Sequence, residues 1–202
     1  MGTDTVTLVV AAIGLVGVIV GAVIAIVGQW LIQRRIERQE RAFITSNLVA
    51  ALDQLVIDCA RAAFDDGLSE GHPDENGYHR MQVSDPEFTL TANQANLRYL
   101  DGDTTYKVLI IPHRIKSISH SVSCQWEHDD PPDFSATFET RQHSFAQLGI
   151  DIARLSDQIR QEHRIPNRPN EIWNPAPDLK NKLAAMNDRR AKWVAPALPV
   201  GT

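Results

Sequence analysis

Three groups of residues in this chain have the types and spacing that chemistry requires. Asp101, Gly102, Asp103, Thr104 and Thr105 read D-x-D-x-T, an order in which one carboxylate can act as nucleophile and the next as general acid. That chemistry needs a strand behind the carboxylates, and further partners: a hydroxyl, a lysine and a metal-binding acidic pair. The preceding ANLRYL makes a poor buried strand, so helix capping is the expected role. His120, Cys124 and His128 recur at i, i+4 and i+8, which places them along one side of a helix, where imidazole and thiolate could hold zinc. Structural zinc sites draw four ligands from more than one element, and no C-x-x-C or H-E-x-x-H accompanies these three, so an exposed polar face is expected. The third group is acidic. Counting Gly77 as the sixth position of a calcium loop puts His72 first and Val83 last, where carboxylates are required. No cofactor is expected, and no nucleotide loop or nucleophile elbow occurs.

The elements that must position these residues begin with a membrane-length run. Residues 8 to 28, LVVAAIGLVGVIVGAVIAIVG, carry no charged or polar side chain. At about 1.5 Å per residue they span about 31 Å, the thickness of a hydrocarbon core. Positive charge follows the run rather than preceding it: Arg34, Arg35, Arg38 and Arg41 lie on the carboxyl side, with Asp4 on the other. That polarity is wrong for a cleaved signal and places the carboxyl side in the cytoplasm of a bacterial inner-membrane protein. Gly2 does not suffice for myristoylation, since Val6 stands where Ser or Thr is needed.

Within the run, Gly14, Gly17, Gly21, Ala25 and Gly28 step by three and four and share one face. In lipid, small residues let two backbones approach closely, so this face predicts a homodimer through the membrane helix.

From Gln29 to Asp66 the chain has neither proline nor glycine, and Ala42, Thr45, Val49, Leu52, Val56, Cys59 and Ala63 form a stripe widened by Leu48, Leu55 and Phe64. This predicts that the membrane helix continues into a cytoplasmic helix ending at Gly67. Residues 65 to 96 carry seven acids and one Arg80, which predicts a solvated acidic loop without a sheet, in which short pieces such as Met81 to Val83 or Phe88 to Leu90 can run extended. A helix follows, capped by Asp103 or Thr104, interrupted at Pro112 and continued by Ile115, Ile118 and Val122 towards Trp126. Pro131 and Pro132 stop it, and Asp133 is placed to cap the next. That next helix has the clearest pattern: Phe134, Phe138, Phe145, Leu148, Ile152, Leu155 and Ile159, with Arg141 as the one polar interruption. Pro166 and Pro169 end it, and a short helix from Asp178 to Trp193 sits in a loosely attached basic tail.

The organisation expected is mainly α: an extracytoplasmic tail (1–5), a transmembrane helix (6–32), a cytoplasmic helical bundle (33–165) containing the acidic loop (65–96), and a basic proline-containing tail (166–202). Charge is uneven, with eleven acids and three bases in residues 42–103 against seven bases and three acids in residues 164–202. The basic tail, carrying Trp173 and Trp193, is thus suited to an anionic lipid surface or to the acidic loop. A net charge of −5 and two cysteines argue against nucleic acid as partner and against a disulfide framework. YKVLIIPHRI followed by DPPDFSATFETRQHSFAQLGIDIARL resembles a group of small, uncharacterised bacterial single-pass membrane proteins. The resemblance implies a shared fold and carries no activity. The functional expectation is a non-catalytic, membrane-anchored module that binds an unidentified protein partner or self-associates. The alternatives are a tethered enzyme using Asp101 and Asp103, or a metal or pH sensor using His120, Cys124 and His128.

Overall fold

The computed structural model describes residues 3–90, 94–169 and 171–194, with side chains described at 21–22, 24–90, 97–169 and 171–192. The chain is mainly helical, and no strand occurs among the described residues. Helix α1 runs Thr3–Phe64 without interruption, as the absence of proline and the strong helix formers between the apolar run and the core stripe allow. It contributes to two compact units, Met1–Phe43 and Ile44–Thr202.

In the second unit, α1 buries Thr45, Leu48, Val49, Leu52, Leu55, Val56, Cys59 and Ala63. Ala42 and Phe64, expected on the same stripe, are exposed. The helix stops because Gly67 adopts φ +80°, and a Cβ there would come within 2.4 Å of the Phe138 ring. Helices α2 (Gly102–Leu109) and α3 (Ile111–Trp126) meet at Ile110. Pro112 lies in the first turn of α3, where its missing N–H breaks no helical bond, so it restarts the helix.

Helix α4 (Ser135–His163) packs against α2, α3 and α5 (Ala176–Val194). Its stripe is buried as the pattern predicts, from Phe138 through Phe145, Leu148 and Ile152 to Ile159. Its start differs from expectation. Trp126 stacks on Phe134 at 4.2 Å, Phe134 takes a left-handed conformation at φ 47°, and Asp133 does not cap. Asp129 does so from the preceding loop, accepting from the Thr137 N–H at 2.6 Å. The helix ends at Arg164, also left-handed at φ 55°, before Pro166 is reached.

One further expectation is corrected. The segment containing α5 is docked, with Leu179 and Met186 buried and Leu179 seated over Gly149 of α4. The acidic loop is mostly exposed, as its composition predicts, and is tied to the helices at Asp65 and Asp85. Among the described residues its only ladder-like pairing is an isolated bridge between Ser69 and His72, so Met81 to Val83 and Phe88 to Leu90 are not strands. Phe88 and Leu90 instead pack against the core as partly buried side chains.

Candidate functional site

The carboxylates singled out by spacing serve helix α2. Asp101 is its N-cap, accepting from the N–H groups of Asp103 at 2.9 Å and Thr104 at 3.0 Å. A hydrogen bond from the Thr104 side chain, aided by these backbone donors, holds the Asp101 carboxyl below the usual carboxylate range. Asp103, expected as one of the caps, pairs with Lys107 one turn along. The two carboxylates therefore do not converge on a common point.

His120, Cys124 and His128 are exposed on α3 and just beyond its end. Cys124 Sγ lies 3.7 Å from His120 Nε2, whereas His128 directs Nδ1 at the Cys124 carbonyl oxygen, 2.9 Å away. Among the described residues no three His, Cys, Asp or Glu side chains are grouped to hold a metal ion. Of the small-residue face, Gly14 and Gly17 lie outside the residues whose surroundings are described. At Gly21 and Gly28 an added Cβ would meet nothing within 4 Å, and Ala25 is exposed.

Charge converges instead on Arg141, which spacing marked as an interruption. Its side chain is fully buried, yet the guanidinium is well satisfied. Nε donates to Asp85 Oδ1 at 3.1 Å. One terminal nitrogen donates to Asp65 Oδ2 at 2.9 Å and the Ala62 carbonyl at 3.4 Å, and the other donates to the Val83 carbonyl at 2.6 Å. The Asp65 carboxylate is itself saturated, accepting from Gly67 N–H on one oxygen and from Gln82 and Val83 N–H on the other. The Ser119 hydroxyl donates to the outer oxygen of Asp85 at 2.5 Å. One cation thus fastens α1, α3, α4 and the acidic loop. Such a group rests on paired charge and complete hydrogen bonding, since burial leaves neither to solvent.

A second clasp was equally silent in the sequence. Asp53 of α1 accepts from Ser156 Oγ at 2.8 Å, from Arg160 of α4 and, at 2.8 Å, from Arg168 beyond α4. Arg160 also donates to the Pro166 carbonyl at 2.5 Å, so the proline-containing connection is fixed to the helices. For the first clasp the available signal was an arginine at a position the periodicity assigns to the core, whereas Arg160 lies one residue past Ile159, the last member of the stripe, and gave none.

Two grooves open on the surface of the second unit. One, of about 280 Å³, has Ile110, Ile111 and Leu155 as its floor and Arg114 and Asp151 at its rim, paired at 2.7 Å. The other, of about 610 Å³ and widely open, lies between the end of α1 and α5. There Lys182 sits over the Phe64 ring at 5.0 Å, and partial burial pulls its pKa below the ordinary lysine range. No family model matches this chain, and no curated protein or solved structure matches it either.

Proposed function

We propose that this chain is a single-pass inner-membrane protein whose carboxyl-side helices form a cytoplasmic, non-catalytic module for binding proteins, with self-association through the membrane helix. The observation that carries the reading is α1. One helix near the amino terminus is long and apolar enough to cross a membrane, and the same helix supplies Leu52, Val56 and Cys59 to the folded core further along. Trp30, with the Arg34 guanidinium 3.8 Å from its ring centre, belongs at the headgroup level, where indoles and arginines both gain. The groups that chemistry would recruit are occupied with structure: Asp101 caps, Asp103 pairs with Lys107, and His128 holds a carbonyl.

A pair of reporters fused after Thr202 tests the topology. The reporter that needs the cytoplasm should be active, and the one that needs an oxidising periplasm inactive. The reverse pair of signals defeats the orientation, and a protein released from membranes by alkaline carbonate defeats the anchor. For self-association, Gly17→Ile and Gly21→Ile in the full-length chain should each lower dimer formation in the bilayer. Unchanged association in both variants removes the small-residue face from the proposal.

A further inference from the structure

Past the apolar run, the first unit keeps large apolar side chains that stand exposed: Ile32 is 63% exposed, Ile36 50% and Phe43 69%. At about 100° per residue these three share one face of α1 with Gln39, and it is the face that carries Gly21, Ala25 and Gly28. Their positions repeat every eleven residues, Gly21 to Ile32 to Phe43, Ala25 to Ile36, and Gly28 to Gln39. An eleven-residue repeat corresponds to about 3.67 residues per turn, so the face runs nearly parallel to the helix axis or winds slightly right-handed. Close crossings along small residues in membranes share that hand. The repeat ends at Phe43, since Asn47, Ala50 and Gln54, the next in the series, bear no large apolar group.

The charges beside this face match a second copy of it. Arg35 flanks one edge and Glu40 the other, five residues apart, which is the offset at which flanking charges of two parallel, in-register helices meet across a seam. The like charges that would oppose association, Arg34, Arg38 and Arg41, fall on the opposite side of the helix. Gln39, alone among large apolar neighbours, faces its own counterpart in that register, where an amide pair satisfies itself and penalises a shifted alignment. We propose that the Gly21–Phe43 face of α1 seats a second copy of this chain, parallel and in register. Ile32, Ile36 and Phe43 make the contact, and Arg35 pairs with Glu40 of the other copy. The proposal rests on the reading of the membrane helix as self-associating and carries the interface beyond the bilayer.

The test is cysteine cross-linking of the full-length protein in isolated membranes, in a Cys124→Ser background that leaves only the buried Cys59. Ile32→Cys, Ile36→Cys, Gln39→Cys and Phe43→Cys should give disulfide-linked dimer at least tenfold faster than Arg34→Cys, Arg38→Cys and Arg41→Cys. Equal rates in the two sets, the opposite order, or no dimer in either overturns the proposal. Arg35→Glu should slow cross-linking at Ile36→Cys, and adding Glu40→Arg should restore it; a pair that stays slow overturns the register. Loss of the seam cross-links while association remains sensitive to Gly17→Ile defeats this interface and spares the membrane one. Seam cross-links that persist when Gly17→Ile has no effect do the reverse.

Discussion

A guanidinium that meets no water must find acceptors for its N–H groups, and Arg141 finds two carboxylates and two carbonyls. Removing it leaves Asp65 buried without a counter-charge, which predicts that Arg141→Met destabilises the protein by about 3–5 kcal/mol. Arg114→Met breaks an ion pair whose side chains keep 41% and 29% of their exposure, and should cost less than about 1 kcal/mol. Urea unfolding of the full chain in detergent compares the two, and similar midpoints would deny Arg141 its role. Cys59 offers a second measurement at this scale. Burial, with the nearby Asp58 charge adding to it, pushes its thiol up from 9.0 to about 12. Below pH 9 the thiol is neutral folded or unfolded. Between pH 9 and about 12 the unfolded chain ionises first, so this residue's contribution to stability declines as pH rises through that window. At pH 8, alkylation should therefore modify Cys124 readily and Cys59 only after denaturation; mass spectrometry of the labelled peptides decides it.

Helix α4 shows what periodicity can and cannot convey. Its apolar positions were legible because each lies on one face, and Phe145→Ala or Leu148→Ala should lower stability by about 2–5 kcal/mol, whereas His120→Ala, on an exposed face, should change it little. The same spacing placed Arg141 at a core position, but the acids that justify it there stand 76 and 56 residues away, beyond the reach of any local pattern. At the start of α4, the Trp126–Phe134 stack and the left-handed backbone of Phe134 leave the capping role to Asp129 rather than Asp133, a turn geometry that composition alone does not reveal. Docking of α5 was hidden in Gly149. An added Cβ there would meet the movable end of Leu179 at 2.8 Å and the Cys59 Cβ at 3.1 Å, so the crowding in Gly149→Ala should outweigh the roughly 1 kcal/mol that alanine gains over glycine in a helix and leave a net cost of about 1 kcal/mol. Gly102→Ala, with nothing within 4 Å, is the control, and equal melting temperatures for both variants would contradict the close packing.

For the whole molecule, composition along the chain was the most informative property. The apolar run and the arginines that follow it led directly to a long amino-terminal helix, and α1 is found as one. The tail was underestimated, because proline and charge conceal two anchors, Leu179 and Met186, spaced seven residues apart on one face. Truncation after Pro175 should therefore uncover α4 and lower the melting temperature of the detergent-solubilised protein by several degrees, with aggregation on heating. A tail of purely solubilising function would be removable without change.

The clasps also govern when this protein can fold during its own synthesis. Asp65 waits 76 residues for Arg141, and Asp53 waits 107 for Arg160, so neither clasp can close, and the core that α1 shares with α4 cannot be completed, until α4 has been translated. At about 5–20 residues per second that interval is on the order of 5–20 s. Throughout it, the strip of Leu52, Leu55 and Val56 on the nascent chain lacks its α4 partners and is open to holdase chaperones or the nearby lipid surface. Slowing translation between residues 66 and 141 should prolong that vulnerable period and reduce the yield of folded protein, while the same delay introduced after residue 194 should not.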